Sequence, residues 1–230
     1  MAFDALILAG GRSSRLGGVP KQWLVFQGQT LLGRSVAAAA GARRIAVVGD
    51  GGSFSHEAQL PQPAWPSTLL MCREEPPFSG PAAGISAGLD ALATGGEEAA
   101  YTLVLACDMP MASHAVTVLQ DALARSVAGK DGGDGVMARA ADGRVQPLAG
   151  FYRTAGLTKA CADLAARNAL VNGSVRALLA SLDVQLVPVP AGSTSDVDTW
   201  DDAAALGVAA GNQRAGQDRR AGGANVGGNS

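Results

Sequence analysis

Three groups of residues in this chain are of types, and at spacings, that could handle a phosphate chain. The first, Leu8-Ala9-Gly10-Gly11-Arg12-Ser13-Ser14-Arg15-Leu16-Gly17, leaves the apolar run Phe3 to Leu8 and leads on to Lys21. Glycines after a buried strand let backbone N–H groups approach phosphate oxygens without side-chain obstruction, and Arg15 with Lys21 supplies neutralising charge. The second is Asp108, which ends the apolar run Tyr101 to Cys107. A carboxylate there is placed to hold Mg²⁺, an ion satisfied by one or two carboxylates plus phosphate oxygens. The third is Asp196 with Asp198, whose alternation in an extended segment puts both on one side, suited to a single divalent ion. Together these parts would suit a site that grips a nucleoside triphosphate's phosphates with the help of a divalent ion.

Each group also has a plainer explanation. The spacing is neither G-x-G-x-x-G nor G-x-x-x-x-G-K-[ST], so Gly10-Gly11 alone equally describes a tight strand-to-helix turn with exposed arginines. Asp108 would serve as a solvated loop residue or as a cap for the helix after Pro110. Asp198 or Thr199 would serve as an N-cap, with Asp201 and Asp202 complementing the helix dipole; capping explains Asp196 less well.

Two further stretches carry candidates. Arg73-Glu74-Glu75-Pro76-Pro77-Phe78-Ser79-Gly80-Pro81-Ala82-Ala83-Gly84 leaves a strand and enters a helix through small residues, which admit a flat ring or a phosphate. A proline-stiffened connection with Pro81 at the first helical position is the alternative. Arg144-Val145-Gln146-Pro147-Leu148 offers a cation and an amide to an anionic acceptor, or is an ordinary hairpin with polar side chains. His56 and His114 stand alone, and Cys107 reads as a small buried hydrophobe.

The elements that must position these residues are legible as alternating patterns. Apolar runs at Ala5–Leu8, Ile45–Val48, Thr68–Cys72 and Leu103–Cys107 alternate with helical stretches near Leu31–Ala40, Ala82–Ala93 and His114–Val127. Such alternation predicts a mainly parallel sheet covered on both faces, with ligands beyond the carboxyl ends of its strands. Past Gly129, Val136–Ala140 and Val145–Tyr152 flank Ala141-Asp142-Gly143-Arg144, whose Asp-Gly pair predicts an antiparallel hairpin. Helices near Leu157–Arg167 and Val175–Leu182, a strand near Val184–Val189 and a last helix from about Thr199 complete the expected order. Gly51-Gly52-Ser53 and Gly132-Gly133 read as surface loops.

The length of 230 residues suits one domain over residues 1–210, followed by a Gly/Asn-rich tail, 211–230, with almost nothing to bury and therefore expected to be disordered. Eighteen basic and twenty acidic residues give a net charge of −2, without a basic stripe, which argues against nucleic acid and anionic membranes as partners. Neither a membrane span nor a signal sequence is evident. Cys72, Cys107 and Cys161 have no paired spacing, so the chain reads as cytoplasmic and reduced.

Taken in order, Leu8-Ala9-Gly10-Gly11-x-Ser13-x-Arg15-x-Gly17 with Lys21, Gly80-Pro81-x-Ala83-Gly84, Cys107-Asp108-x-Pro110, Gln146-Pro147-Leu148 and Asp196-x-Asp198-Thr199 resemble the nucleotidyltransferases of molybdenum cofactor assembly, the guanylyltransferases in particular. The resemblance runs across roughly residues 3–207. It implies a Rossmann-like three-layer fold, GTP with Mg²⁺ as donor, and the terminal phosphate of molybdopterin as acceptor. By position it implies that Leu8, Ala9, Gly10, Gly11 and Arg15 line the nucleotide, Lys21 contacts its phosphates and Asp108 binds the metal, shared with Asp196 or Asp198. Arg15, Lys21 and Asp108 would then be the catalytic set. Glu75, Gly80, Pro81 and Gly84 would border the nucleotide, and Arg144, Gln146 and Pro147 the acceptor. Proteins that deliver the cofactor are candidate partners.

Two features keep other readings open. Pro20-Lys21-Gln22 is similar to a segment of the methylerythritol phosphate cytidylyltransferases, which would make the donor CTP and the acceptor molybdopterin or a sugar-alcohol phosphate. Trp200 stands where the guanylyltransferases carry proline, which leaves a nucleotide-binding protein without catalysis as a third reading. Retention of Lys21 and Asp108 argues against the third.

Overall fold

The computed structural model describes residues 1–11, 13–49, 69–94, 96–129 and 133–211. The expected loop at Gly51-Gly52-Ser53, His56, Thr68, Gly132 and the tail from residue 212 lie outside the described residues.

The seven-stranded sheet has the order β5-β4-β1-β6-β8-β7-β9. Its strands are β1 (Phe3–Leu8), β4 (Ile45–Val48), β5 (Leu69–Cys72), β6 (Tyr101–Ala106), β7 (Gly135–Arg139), β8 (Val145–Arg153) and β9 (Val184–Pro188). The neighbours β1–β4, β1–β6, β4–β5 and β7–β9 are parallel, and β8 runs antiparallel to both β6 and β7. The expected hairpin is therefore present as β7–β8. Its second strand inserts between β6 and β7, so β8 joins the parallel half to the rest of the sheet.

Central strands of a three-layer fold must be apolar on both faces, and β1 shows why its sequence is an almost unbroken hydrophobic run. Phe3, Ala5 and Ile7 enter one core, with Leu32 and Val36 of α1 (Leu31–Ala38) and Ala115, Val116 and Leu119 of α3 (Ala112–Ala128). Leu6 and Leu8 enter the other, with Ile85 and Leu89 of α2 (Gly80–Thr94), Leu157 of α4 (Thr154–Ala166) and Leu178 of α5 (Val175–Leu179). Gly84 and Gly88 let α2 lie close on the sheet: a Cβ at Gly88 would stand 2.3 Å from Leu6 Cδ1. The fold is thus the α/β arrangement the sequence predicts, mainly parallel with an antiparallel insertion.

A small second sheet, β10-β2-β3, was not legible in the sequence. It comprises β2 (Val25–Phe26), β3 (Gln29–Thr30) and β10 (Val208–Ala209), the last following α6 (Trp200–Leu206). Leu16, Leu24, Phe26, Leu31, Val197, Ala203 and Val208 form a third, smaller core beneath it. This core ties the segment after the glycine turn to the far end of the described chain.

Candidate active site

Four parallel strands end together, and the site is assembled where they part. Ala9 N–H donates to Val48 O at 2.8 Å, Cys107 N–H to Leu8 O at 3.0 Å and Gly49 N–H to Cys72 O at 2.9 Å, so β1, β4, β5 and β6 release their chains at one level. The glycine turn leaves there. A Cβ at Gly10 would meet only the backbone at Val48–Gly49, at 3.8 Å, and one at Gly11 would meet nothing within 4 Å. Gly10 and Gly11 both line the cleft.

Beyond the turn, Ser14–Leu16 and Lys21–Trp23 form two single 3-10 turns, each anchored by a buried residue: Leu16 in the first, Trp23 in the second. Their polar ends face the cleft. Lys21 Nζ donates to Asp108 Oδ2 at 2.9 Å and to Asp198 Oδ1, and Arg15 Nη1 donates to Asp198 Oδ2 at 3.1 Å. Lys21 and Asp108 are each about a fifth exposed, whereas Arg15 is 71% exposed and free to reorient on a ligand.

Burial alone would push the Lys21 ammonium down, but Asp108 and Asp198 outweigh it and hold its pKa above the ordinary lysine value. Burial pushes the Asp108 carboxyl up; Lys21 opposes that shift, and the charge of Asp196 adds to it. A carboxylate whose solvent shell is partly stripped and which has one ammonium as its strong partner is well suited to a cation. The Cys107 thiol is pushed far up by burial and is no nucleophile at neutral pH.

The acidic segment near residue 198 is brought in from the far end of the chain. Val197 N–H donates to Asp108 O at 3.0 Å, and the Val197 side chain is fully buried in the small third core. Thr199 is the N-cap of α6, in a capping box with Asp202, which frees Asp198 to face Lys21. Of the candidate pair, Asp198 lines the cleft, while Asp196 is exposed and outside its lining.

The cleft encloses about 540 Å³. Leu8, Ala9, Gly10, Gly11, Arg15, Lys21, Gly80, Pro81, Gly84, Asp108 and Asp198 of the predicted residues line it. Glu75 does not; its neighbour Glu74 does, together with Phe78. Arg144, Gln146 and Pro147 are on β8 and the turn before it, outside the lining, where Leu148 reaches the cleft instead. Arg144 is mostly exposed and paired with Asp142. Ser13, Ser14 and Gln22 also line the cleft, and no residue-type signal separated them from ordinary loop polar groups. Among the described residues, no cluster of three or more His, Cys, Asp or Glu forms a metal site by itself.

A cleft at the carboxyl ends of parallel strands, floored by a glycine turn and closed by cations and carboxylates, defines an α/β domain built to handle a nucleotide's phosphates. The family model that matches residues 5–187 is that of the MobA-like NTP transferase domain, and the chain belongs to that family. The molybdenum cofactor guanylyltransferase of Bordetella petrii is 32% identical over 105 residues, 46% of this chain and 48% of that protein. The matched region thus spans about half the length of that curated relative. Molybdopterin-guanine dinucleotide biosynthesis protein A from Archaeoglobus fulgidus superposes with a TM-score of 0.62 at 17% identity, over 89% of this chain and 96% of that one. The 2-C-methyl-D-erythritol 4-phosphate cytidylyltransferase of Thermus thermophilus shares the fold, with a TM-score of 0.58 at 20% identity over 90% and 97%. So does Rv0371C of Mycobacterium tuberculosis, solved as a manganese complex, with a TM-score of 0.57 at 22% identity and 89% of this chain covered. No helix among the described residues is long and apolar enough to cross a membrane.

Proposed function

We propose that this chain is a nucleotidyltransferase that moves GMP from GTP onto the terminal phosphate of molybdopterin and releases pyrophosphate. The observation that carries the reading is the Arg15–Asp198–Lys21–Asp108 chain of ion pairs at the mouth of the glycine-floored cleft. In the reaction an acceptor phosphate oxygen forms a bond to the α-phosphorus while the bond from that phosphorus to the bridging oxygen of the β-phosphate breaks. The negative charge leaves on pyrophosphate.

The chain's own residues divide this work. Backbone N–H groups at Gly10 and Gly11 face the phosphates, the Lys21 ammonium neutralises them, and exposed Arg15 turns from Asp198 to the leaving group. Asp108 and Asp198 fit a divalent ion such as Mg²⁺, because two carboxylates already share one cation in the cleft and the nucleotide's oxygens complete the ligand set. Such an ion, when bound, offsets charge on the phosphates and orients them. Gly80, Pro81 and Gly84 border the nucleotide, and Arg144, Gln146 and Pro147 extend the site toward an anionic acceptor on the hairpin side.

The guanylyltransferase relative and the ordered motifs favour GTP; Pro20-Lys21-Gln22 favours CTP, with the same parts. A panel of nucleoside triphosphates with Mg²⁺ and molybdopterin, scored by pyrophosphate release, separates them: GTP alone should support turnover, and turnover with CTP alone overturns the base assignment. Asp108→Asn should abolish most turnover with the fold intact.

A further inference from the structure

Phe78 is a large apolar side chain left 51% exposed, whereas Phe3, Phe26 and Phe151 are buried. Its backbone sits at φ +62°, a left-handed conformation that a bulky residue seldom adopts. Strained backbone of this kind persists only where the surroundings impose it, and it concentrates at ligand clamps. The surroundings here do impose it. Phe78 N–H donates to Glu74 Oε1 at 3.0 Å, Ser79 Oγ bonds to Pro76 O, and Asn172 N–H donates to Ser79 O at 2.6 Å. The next residue, Gly80, turns at φ +87°, where a Cβ would stand 3.4 Å from Asn172 Cα. The backbone that carries the exposed ring is thus held by bonds on both sides of it.

The ring's position gives it an occupant. Phe78 lines the main cleft and also an adjoining second chamber of about 390 Å³. The two chambers share Ala9, Gly10, Gly11, Gln22 and Glu74. Among the described residues they differ in charge: Lys21, Asp108, Asp198 and Arg15 are in the main cleft, whereas the second adds Gly18, Pro20, Gly49, Pro77 and Arg73. A nucleotide with its phosphates at Lys21, laid over the glycine residues that the two chambers share, would bring its base beside Phe78. Stacking on an aromatic face is worth roughly a tenfold or greater gain in affinity per base and is nearly indifferent to base identity.

We propose that Phe78 is the platform on which the nucleobase of the triphosphate stacks, so that it sets nucleotide affinity while leaving the phosphate chemistry alone. This rests on the nucleotidyltransferase reading above. The test compares wild type, Phe78→Ala, Phe78→Leu and Phe78→Trp, none of which changes the backbone strain as glycine would. Phe78→Ala should raise KM for the nucleoside triphosphate about tenfold or more with kcat within about twofold, and weaken GMP binding by a similar factor. Binding of inorganic tripolyphosphate should be unchanged. Phe78→Trp should restore affinity and Phe78→Leu should not, because leucine keeps apolar bulk without a flat face. An unchanged KM in Phe78→Ala, equal loss for tripolyphosphate, or full rescue by leucine would each overturn the platform while leaving the transferase reading in place. Wild-type protein that binds tripolyphosphate but neither GTP nor CTP would overturn both.

Discussion

Replacing Lys21 with methionine keeps the length of the side chain and removes the ammonium that bridges Asp108 and Asp198. At 2.9 Å the Lys21–Asp108 attraction is about 1.4 kcal/mol in a water-like medium and about 6 kcal/mol at an effective dielectric of about 20. Desolvation cancels much of the larger figure. Exposed pairs contribute about 0–1 kcal/mol, and breaking buried ones costs about 3–5 kcal/mol. Both partners here are about a fifth exposed, so the expected loss lies between, near 2 kcal/mol at about pH 7.

The pH dependence has a definite sign. Lys21 has a raised pKa, so its contribution is complete below 10.5 and fades only as pH rises through its still higher folded value. Asp108 also has a raised pKa, and loss of Lys21 raises it further, so acid protonates the carboxyl and relieves its repulsion with Asp198. The deficit of Lys21→Met should therefore shrink as pH falls from about 7 to about 4.5. Urea unfolding at both pH values, in a cycle with Asp108→Asn, measures this directly. A coupling energy below about 0.5 kcal/mol, or a deficit that does not change with pH, would refute the electrostatic account.

Three other outcomes follow from the packing. Gly88→Ala puts a methyl group 2.3 Å from Leu6 Cδ1 and 3.0 Å from Val48 Cγ2, and should destabilise by about 1–2 kcal/mol after the gain in helix propensity, read by thermal unfolding. Thr199→Ala removes the capping box and should cost about 1 kcal/mol; because it loosens the segment that holds Asp198, it should also raise KM for the metal–nucleotide. The Cys72 thiol is pushed up to about 11, chiefly by burial, with Glu74 and Asp90 adding to it, so alkylation of the native protein near neutral pH should be slow and should accelerate sharply in denaturant.

How much of this was legible in the sequence depended on the length of the signal. Runs such as Phe3 to Leu8 and Tyr101 to Cys107 belong to strands buried on both faces, and such runs are visible without knowing the partner strands. The Asp-Gly hairpin was equally plain, but insertion of β8 between β6 and β7 is a tertiary choice with no local mark. The two-residue strands β2, β3 and β10 are too short to show a period. At the site, strand-end reasoning located the glycine turn, Lys21 and Asp108. Alternation put Asp196 and Asp198 on one side, but only Asp198 meets Lys21. The Glu74–Phe78 hydrogen bond explains why Glu74, rather than Glu75, faces the cleft, and no pattern of residue types encodes that turn.

The bond from Val197 N–H to Asp108 O and the pairing of β10 with β2 carry a consequence for the birth of the molecule. Asp198, the carboxylate that Arg15 and Lys21 share, is translated 183 residues after the first and 177 after the second. Until that segment has folded back, a growing chain can form the glycine turn and most of the large sheet, yet its phosphate-facing cations remain without Asp198. A fragment that stops short of Val197 would therefore lack half of its ion-pair chain. The phosphate-facing cations and the carboxylate that orders them are thus joined only after the two most distant parts of the described chain have met.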